Sequence, residues 1–223
     1  LGVYHEVGHE TNPLHHAGAL SCSTKDLEPT AHKQMEKEAF LCGAEIMFPL
    51  KHFVEDSSSL PLGVDSVEKI ARRYAGSLEA TGIRYAHTNQ NVMALMVVQP
   101  MADFIAQSVA MAAGNHKHLD LPFRIPNISK PNGRPPAPLR VQYFIRASRF
   151  PKYISSGTEI REGNIIFDTW KTGLKTVGEI PALALGSSAR CNYFAECIPF
   201  SDGRIMVVLW LPNKQGEFWK GIL

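Results

Sequence analysis

The sequence has few cysteines, little excess charge and no long apolar run. Its 223 residues include 4 cysteines, none in a Cys-x-x-Cys pair, which argues against a zinc site built from cysteines. No segment reaches the roughly 20 apolar residues that a membrane-spanning helix needs. The net charge of +2 gives no electrostatic argument for nucleic acid or a membrane as partner. A disulfide between Cys191 and Cys197 is possible on spacing, but we expect free thiols in a reducing cytoplasm.

A metal-binding motif stands at the start of the chain, His5-Glu6-Val7-Gly8-His9. Residues four apart lie on one face of a helix, so His5 and His9 can both direct imidazole nitrogens at one ion. Glu6 follows the first of these ligands and is placed to take a proton from a water on that ion. This arrangement predicts a zinc hydrolase in which Glu6 is the base.

A second helix is predicted between Pro29 and Pro49, because proline suits the first turn of a helix and also stops one. Apolar residues recur at helical spacing along it, namely Met35, Ala39, Cys42 and Ile46. Catalytic zinc usually has three protein ligands and one water. Glu38 lies on this helix, far enough after His9 for the chain to turn back and set the two helices around one ion.

Together, HEVGH and EKEAFLCGAEIMFP resemble the ImmA/IrrE family of zinc metallopeptidases, whose second motif reads E-A-N-x-F-A-x-x-L-L-x-P. The resemblance implies that Glu38 is the third zinc ligand, that Glu6 is the catalytic base, and that the substrate is a helix-turn-helix repressor. Phe40 and Cys42 depart from the Asn and Phe of the family pattern. The alternative for Glu38 is an exposed carboxylate on the surface of the helix.

His15 is a rival third ligand, since it falls where the metzincin pattern H-E-x-x-H-x-x-G-x-x-H places its last histidine. Asn12 replaces the glycine of that pattern, and no later segment reads as a Met-turn. We therefore expect His15, His16 and Glu45 to surround and support the site, and not to bind the ion.

The motif comes almost directly after Leu1. Zinc peptidases normally build a small sheet ahead of this helix, with an edge strand that aligns the substrate by backbone pairing. We expect that part to lie outside this sequence, as in a fragment, a processed chain or a translation that begins late.

Residues 56–63 are rich in turn formers and predict a linker, and residues 66–85 predict two short helices. Ser66 is a candidate cap for the first, and Gly76-Ser77 can end it and cap the second. The pair resembles a helix-turn-helix, a unit that the ImmA/IrrE family commonly carries. Four basic residues could contact DNA phosphates: Lys69, Arg72, Arg73 and Arg84. The second helix has few side chains that read bases, so we prefer a packing role.

Strand patterns dominate after Asn91. Strands are predicted at 92–98, 139–146, 191–199 and 204–211, the second with one wet face and the last two joined as a hairpin by Ser201-Asp202-Gly203. Helices are predicted at 101–113 and 164–173, with a proline-rich loop between 114 and 138. The order resembles the GAF-like domain of the radiation-response branch of the family. Large aromatics are expected mainly in its core: Trp170, Phe194, Trp210 and Trp219.

The sequence thus predicts an α+β protein with an N-terminally truncated zincin-type core at 1–62, a helix-turn-helix-like unit at 63–90 and a GAF-like sensor domain at 91–223. The expected function is that of a cytoplasmic zinc endopeptidase. Its expected partner is a protein substrate, with no membrane partner and with direct DNA binding not favoured. The ligand of the sensor domain cannot be named. The alternative is a non-proteolytic regulator that binds DNA or protein through residues 66–85 and the C-terminal domain.

Overall fold

A computed structural model of the chain describes residues 2–12, 29–103, 105–106, 139–151, 153–186 and 192–211. It has the mixed α+β composition predicted from the sequence. The chain divides into two compact units, Leu1–Ser59 with Val67–Arg84, and Leu60–Ser66 with Tyr85–Leu223. Most of the predicted helix-turn-helix segment therefore groups with the motif-bearing helices.

Helices account for the first unit. They are α1 (Gly2–Thr11), α2 (Pro29–Met47), α3 (Leu50–Ser58), α4 (Val64–Arg73) and α5 (Leu78–Thr88), of which α4 and α5 run into the second unit. Helix α2 begins at Pro29 and ends before Pro49, as predicted. Its predicted apolar face is only partly correct, because Ala39 is fully buried but Ile46 is 42% exposed.

Helix α3 corrects the predicted linker, since residues 56–58 belong to its last turn. Its N-cap residue, Pro49, makes no side-chain hydrogen bond, and its buried apolar side chain is Phe53, so the sequence carries little signal for it. The ring of Phe53 packs edge-on against Phe48, with 5.4 Å between centroids. Tyr74 completes this aromatic cluster and donates a hydrogen bond from its hydroxyl to Asp56 at 2.8 Å.

Two backbone hydrogen bonds in the turn between α4 and α5 terminate α4. The Gly76 N–H donates to the Ala71 carbonyl at 3.0 Å, and the Ala75 N–H donates to the Arg72 carbonyl at 3.4 Å, which is the Schellman pattern. Ala75 takes the left-handed position, with φ of 50°. Ser77 then caps α5 by accepting from the Ala80 N–H at 3.2 Å, as predicted.

Helix α4 begins two residues before the cap that the sequence predicted. Ser66 lies inside the helix and donates its hydroxyl proton to the Pro61 carbonyl at 2.6 Å. Glu196 takes the capping role, because its carboxylate accepts a hydrogen bond from the Val64 N–H at 2.6 Å. The acceptor at the start of this helix therefore comes from a strand more than a hundred residues away in sequence.

The second unit is built on an antiparallel sheet. Its strands are β1 (Met93–Pro100), β2 (Leu139–Arg146), β3 (Glu159–Ile160), β4 (Thr176–Pro181), β5 (Asn192–Pro199) and β6 (Ile205–Trp210), in the spatial order β3-β2-β1-β6-β5-β4. Helix α6 (Ile165–Thr172) and a 3-10 turn (Ala182–Leu185) pack against it. Strands β1, β2, β5 and β6 and helix α6 were predicted, whereas β3 and β4 were not.

Asn164 and Gly173 explain why α6 was predictable. Asn164 accepts hydrogen bonds from the N–H groups of Ile166 and Phe167, and Gly173 ends the helix with φ of 68°. The hairpin of β5 and β6 likewise has the expected pairing, with Pro199 opposite Ile205.

Both faces of the central strands are buried, which corrects the predicted wet face of β2. On β1, Ala94, Met96 and Val98 face one core, while the intervening Met93, Leu95 and Val97 are also fully buried. On β2, Arg140 and Ile145 are partly exposed, and Arg146 at the end of the strand is exposed. The large aromatic residues that were predicted in the core have different environments. Trp210 is buried, Phe194 stacks on it, Trp170 is 37% exposed, and Trp219 lies outside the described residues.

Residues 101–103 and 105–106 are helical, and the rest of the predicted helix to 113 and the loop to 138 lie outside the described residues. Cys42 and Cys197 are free thiols, and Cys191 lies outside the description. Within the described part of the chain, no helix is both long and apolar enough to cross a membrane.

Candidate metal centre

The His5-Glu6-Val7-Gly8-His9 motif lies on α1, as predicted, and α1 packs against α2 at very short range. Gly8 is buried at this contact, and a Cβ atom added to it would lie 2.2 Å from the carbonyl oxygen of Ala39. The third position after His5 therefore has to be a glycine for the helices to pack in this way. This contact brings the motif against the helix that carries Glu38.

His9 faces a carboxylate on α2. Its Nε2 atom lies 3.4 Å from Oε1 of Glu36, and both side chains are partly exposed. Glu36 is two residues before the ligand that the sequence predicted. The structure thus brings one imidazole of the motif to a carboxylate of α2, and that carboxylate belongs to Glu36.

Glu38 is held by two side-chain amides. Asn12 donates from Nδ2 to Oε2 at 3.1 Å, and Gln34 donates from Nε2 to Oε1 at 2.7 Å. Asn12 comes directly after α1, and Gln34 lies one turn before Glu38 on α2. Glu38 is partly buried and faces α1, unlike a carboxylate that projects from a helix into water.

Glu6 is exposed on α1. The Sγ atom of Cys42 lies 3.3 Å from the Thr11 hydroxyl, so this cysteine packs at the end of α1. For His5 the structure gives the position on α1, and its side chain lies outside the description.

Glu45 has a different environment from the one predicted. Its carboxylate accepts from the Leu50 N–H at 2.6 Å, and it forms an ion pair with Arg84. Partial burial acts to raise the pKa of Glu45, but the bonds from Leu50 and Arg84 outweigh it and lower the pKa. These contacts give Glu45 a role at the junction of α2 and α3. His15 and His16 lie outside the described residues.

The donor types present suit zinc, since imidazole nitrogens and a carboxylate oxygen are among its usual ligands. The same set also suits non-haem iron. Among the described side chains, which leave out that of His5, there is no group of three or more His, Cys, Asp or Glu residues that could hold a metal. The fit to zinc therefore rests on donor chemistry and on the contact between His9 and Glu36.

Two of the basic residues considered for DNA contact are engaged within the first unit. Arg84 pairs with Glu45 and donates to the Phe48 carbonyl at 2.8 Å, and Arg73 lies 2.7 Å from Asp56. Lys69 and Arg72 are exposed.

The second unit has an open cleft of about 420 Å³ beside the N-terminus of α6. Its polar lining is already engaged, because Arg161 pairs with Glu159 at 3.1 Å and the Asn164 side chain caps α6. The cleft therefore indicates no particular ligand class.

No family model matches this chain. Its sequence likewise finds no match among curated proteins.

Sequence reasoning missed three residues at this site, Asn12, Gln34 and Glu36. The sequence indicated Asn12 only as the residue that replaces the metzincin glycine, and it did not single out Glu36. The signal for Gln34 was available, because a glutamine four residues before a glutamate on a helix can bond to it.

Proposed function

We propose that the chain is a cytoplasmic zinc endopeptidase of the ImmA/IrrE type. His5 and His9 on α1 and a carboxylate on α2 would hold the ion. The observation that carries the proposal is the close contact between these helices, which sets the imidazole of His9 3.4 Å from Glu36 while Glu38 also faces α1. A motif match without such a partner would be much weaker evidence.

Glu38 is the proposed third ligand, and Glu36 is its alternative. The case for Glu38 is the pair of amide hydrogen bonds, since ligating carboxylates are normally held by hydrogen bonds of their own. The case for Glu36 is its contact with His9. If Glu38 is the ligand, Glu36 serves to orient the His9 ring.

Zinc bound there would supply Lewis acidity that polarises a peptide carbonyl and lowers the pKa of a water. The remaining chemistry falls to Glu6. Its exposed carboxylate would accept the proton of the attacking water and then pass it to the amine that leaves. The proposed substrate is a helix-turn-helix repressor, whose cleavage would release transcription of stress or mobile-element genes.

The sheet of the second unit supports a GAF-like sensor in addition to the peptidase. Its six antiparallel strands with α6 and the 3-10 turn on one face are compatible with such a domain. The DNA-binding alternative through residues 66–85 is weaker, because Arg73 and Arg84 are already bound to acidic groups.

Cleavage by the purified chain tests the proposal. With added zinc, wild type should cleave an unfolded protein substrate and a helix-turn-helix repressor, and a chelator should stop the reaction. Glu6→Gln should lose cleavage by a large factor, about 10²–10⁴ for loss of a general base, while it keeps its metal. Cleavage that survives Glu6→Gln, or that is absent from zinc-loaded wild type, would overturn the proposal.

A further inference from the structure

We propose that Asn12 and Gln34 are positioning residues that hold the Glu38 carboxylate for metal binding. The inference rests on the proposed function and deepens it, because it explains how the third ligand is fixed in place.

The chemistry of the contact fixes the direction of both hydrogen bonds. An ionised carboxylate can only accept, whereas a primary amide has both an N–H₂ donor and a carbonyl acceptor. Asn12 and Gln34 must therefore present their N–H₂ groups, at 3.1 Å to Oε2 and 2.7 Å to Oε1. Each oxygen of Glu38 receives one amide, so the plane of the carboxylate is defined from both sides.

The two amides come from different segments, since Gln34 lies on α2 and Asn12 directly follows α1. Gln34 precedes Glu38 by one turn of α2, so its bond sets the rotamer of Glu38 relative to its own helix. Asn12 follows His9 by three residues, so its bond sets Glu38 relative to the helix that carries the motif. A ligand held in this way keeps its orientation when the ion is absent.

These bonds are compatible with coordination by the same group. A carboxylate offers about four acceptor positions on its two oxygens, so two amide hydrogen bonds do not prevent it from binding a metal. Outer hydrogen-bond partners of this kind are typically worth a factor of about 10–100 in metal affinity. Neutral amides also leave the negative charge of Glu38 intact, whereas a lysine or arginine partner would compete with the cation.

The competing explanation is that the amides only join α1 to α2. In that case their removal lowers the stability of the metal-free protein and leaves its zinc affinity unchanged. Zinc affinity and metal-free stability must therefore be measured separately on the full chain.

The test is a competition titration with a chromophoric zinc chelator on wild type, Asn12→Leu, Gln34→Leu and Asn12→Asp. We expect each leucine variant to bind zinc about 10–100-fold more weakly. Asn12→Asp should be at least as weak, because it replaces a donor by a second negative acceptor beside Glu38. Lys37→Gln, a change at an exposed position next to Glu38, is the matched control and should bind nearly as wild type does.

Gln34 is exposed, so Gln34→Leu provides a folded variant even if Asn12→Leu weakens the contact between the helices. The visible spectrum of the cobalt-substituted protein gives a second readout, and it should change in both leucine variants because the ligand geometry changes. Unchanged zinc affinity and an unchanged cobalt spectrum would overturn the inference.

The remaining outcomes separate this inference from the proposed function. If Glu38→Gln binds zinc normally and Glu36→Gln does not, the inference is wrong and the zinc site stands. If wild type binds no zinc at all, the proposed function fails, and the inference fails with it.

Discussion

Gly8 and Ala39 bring α1 and α2 so close that no side chain fits between them. A Cβ atom on Gly8 would lie 2.2 Å from the Ala39 carbonyl oxygen and 2.9 Å from its Cα atom. Both neighbours are backbone atoms of a helix, which cannot turn aside as a flexible side chain can. The positions of His9, Glu36 and Glu38 relative to one another depend on this contact.

Gly8→Ala should therefore destabilise the protein, even though alanine is the better helix former. The gain in helix propensity is about 1 kcal/mol, whereas overpacking of a tight contact costs about 1–3 kcal/mol, and here the neighbour is backbone. Urea denaturation should show a lower free energy of unfolding, and the variant should also bind zinc more weakly. Val7→Ala on the exposed side of α1 is the control. A Gly8→Ala protein as stable as that control would contradict the packing described.

The turn after α4 predicts opposite effects at two neighbouring residues. Ala75 has φ of 50°, a conformation that costs an L-residue roughly 1–2 kcal/mol and glycine almost nothing. Ala75→Gly should therefore raise the free energy of unfolding by about 1 kcal/mol, after the greater entropy of glycine in the unfolded chain is subtracted. Thermal denaturation would detect the change, and a lower melting temperature would count against the left-handed geometry.

Gly76→Ala, one residue later, should have the reverse effect. The added Cβ would lie 2.6 Å from the Phe48 ring, which is buried and packed against Phe53 and Tyr74. The ring has no room to move, so we expect a loss of about 1–3 kcal/mol in the same denaturation experiment. An equal response to the two substitutions would mean that Phe48 does not pack here.

Glu196 predicts a specific pH dependence for the second unit. Burial raises its pKa above the ordinary 4.5 and Asp65 adds to this, although the Val64 N–H and Lys175 act in the opposite direction. A group with a raised folded pKa stabilises the protein below its unfolded pKa, and this contribution is lost as pH rises through the folded pKa. The stability of wild type minus that of Glu196→Gln should therefore fall as pH rises above 4.5, the ordinary pKa of this group. Urea denaturation at several pH values measures this difference in stability. A difference that rose with pH would contradict the environment described for Glu196.

Local signals in the sequence were sufficient for the elements with clear ends. Helix α2 has proline at its start and after its end, and α6 has Asn164 as its cap and Gly173 after its last turn. Helix α3 was missed, because its N-cap residue Pro49 makes no side-chain hydrogen bond. The start of α4 was misplaced because its capping group, Glu196, is supplied by β5. No local pattern can indicate an acceptor that arrives from so far along the chain.

The candidate site, too, could be predicted only in part from the sequence. The motif residues His5, Glu6 and His9 and their place on one helix follow from spacing alone. Which carboxylate of α2 meets His9 depends on how the two helices cross, and Glu36 and Glu38 differ by only two residues. That crossing is determined by the contact between Gly8 and Ala39, which periodicity does not encode. Asn12 was missed for the same reason, since its partner lies on the other helix.

Metal content by elemental analysis is the most direct test of the proposed zinc site. The purified wild-type chain should hold about one zinc, as expected for a site with three protein ligands and a water. His9→Ala and Glu38→Gln should lose the metal, whereas Glu36→Gln and His15→Ala should retain most of it. Wild type without bound zinc, or a His9→Ala variant that keeps its zinc, would contradict the proposed zinc site.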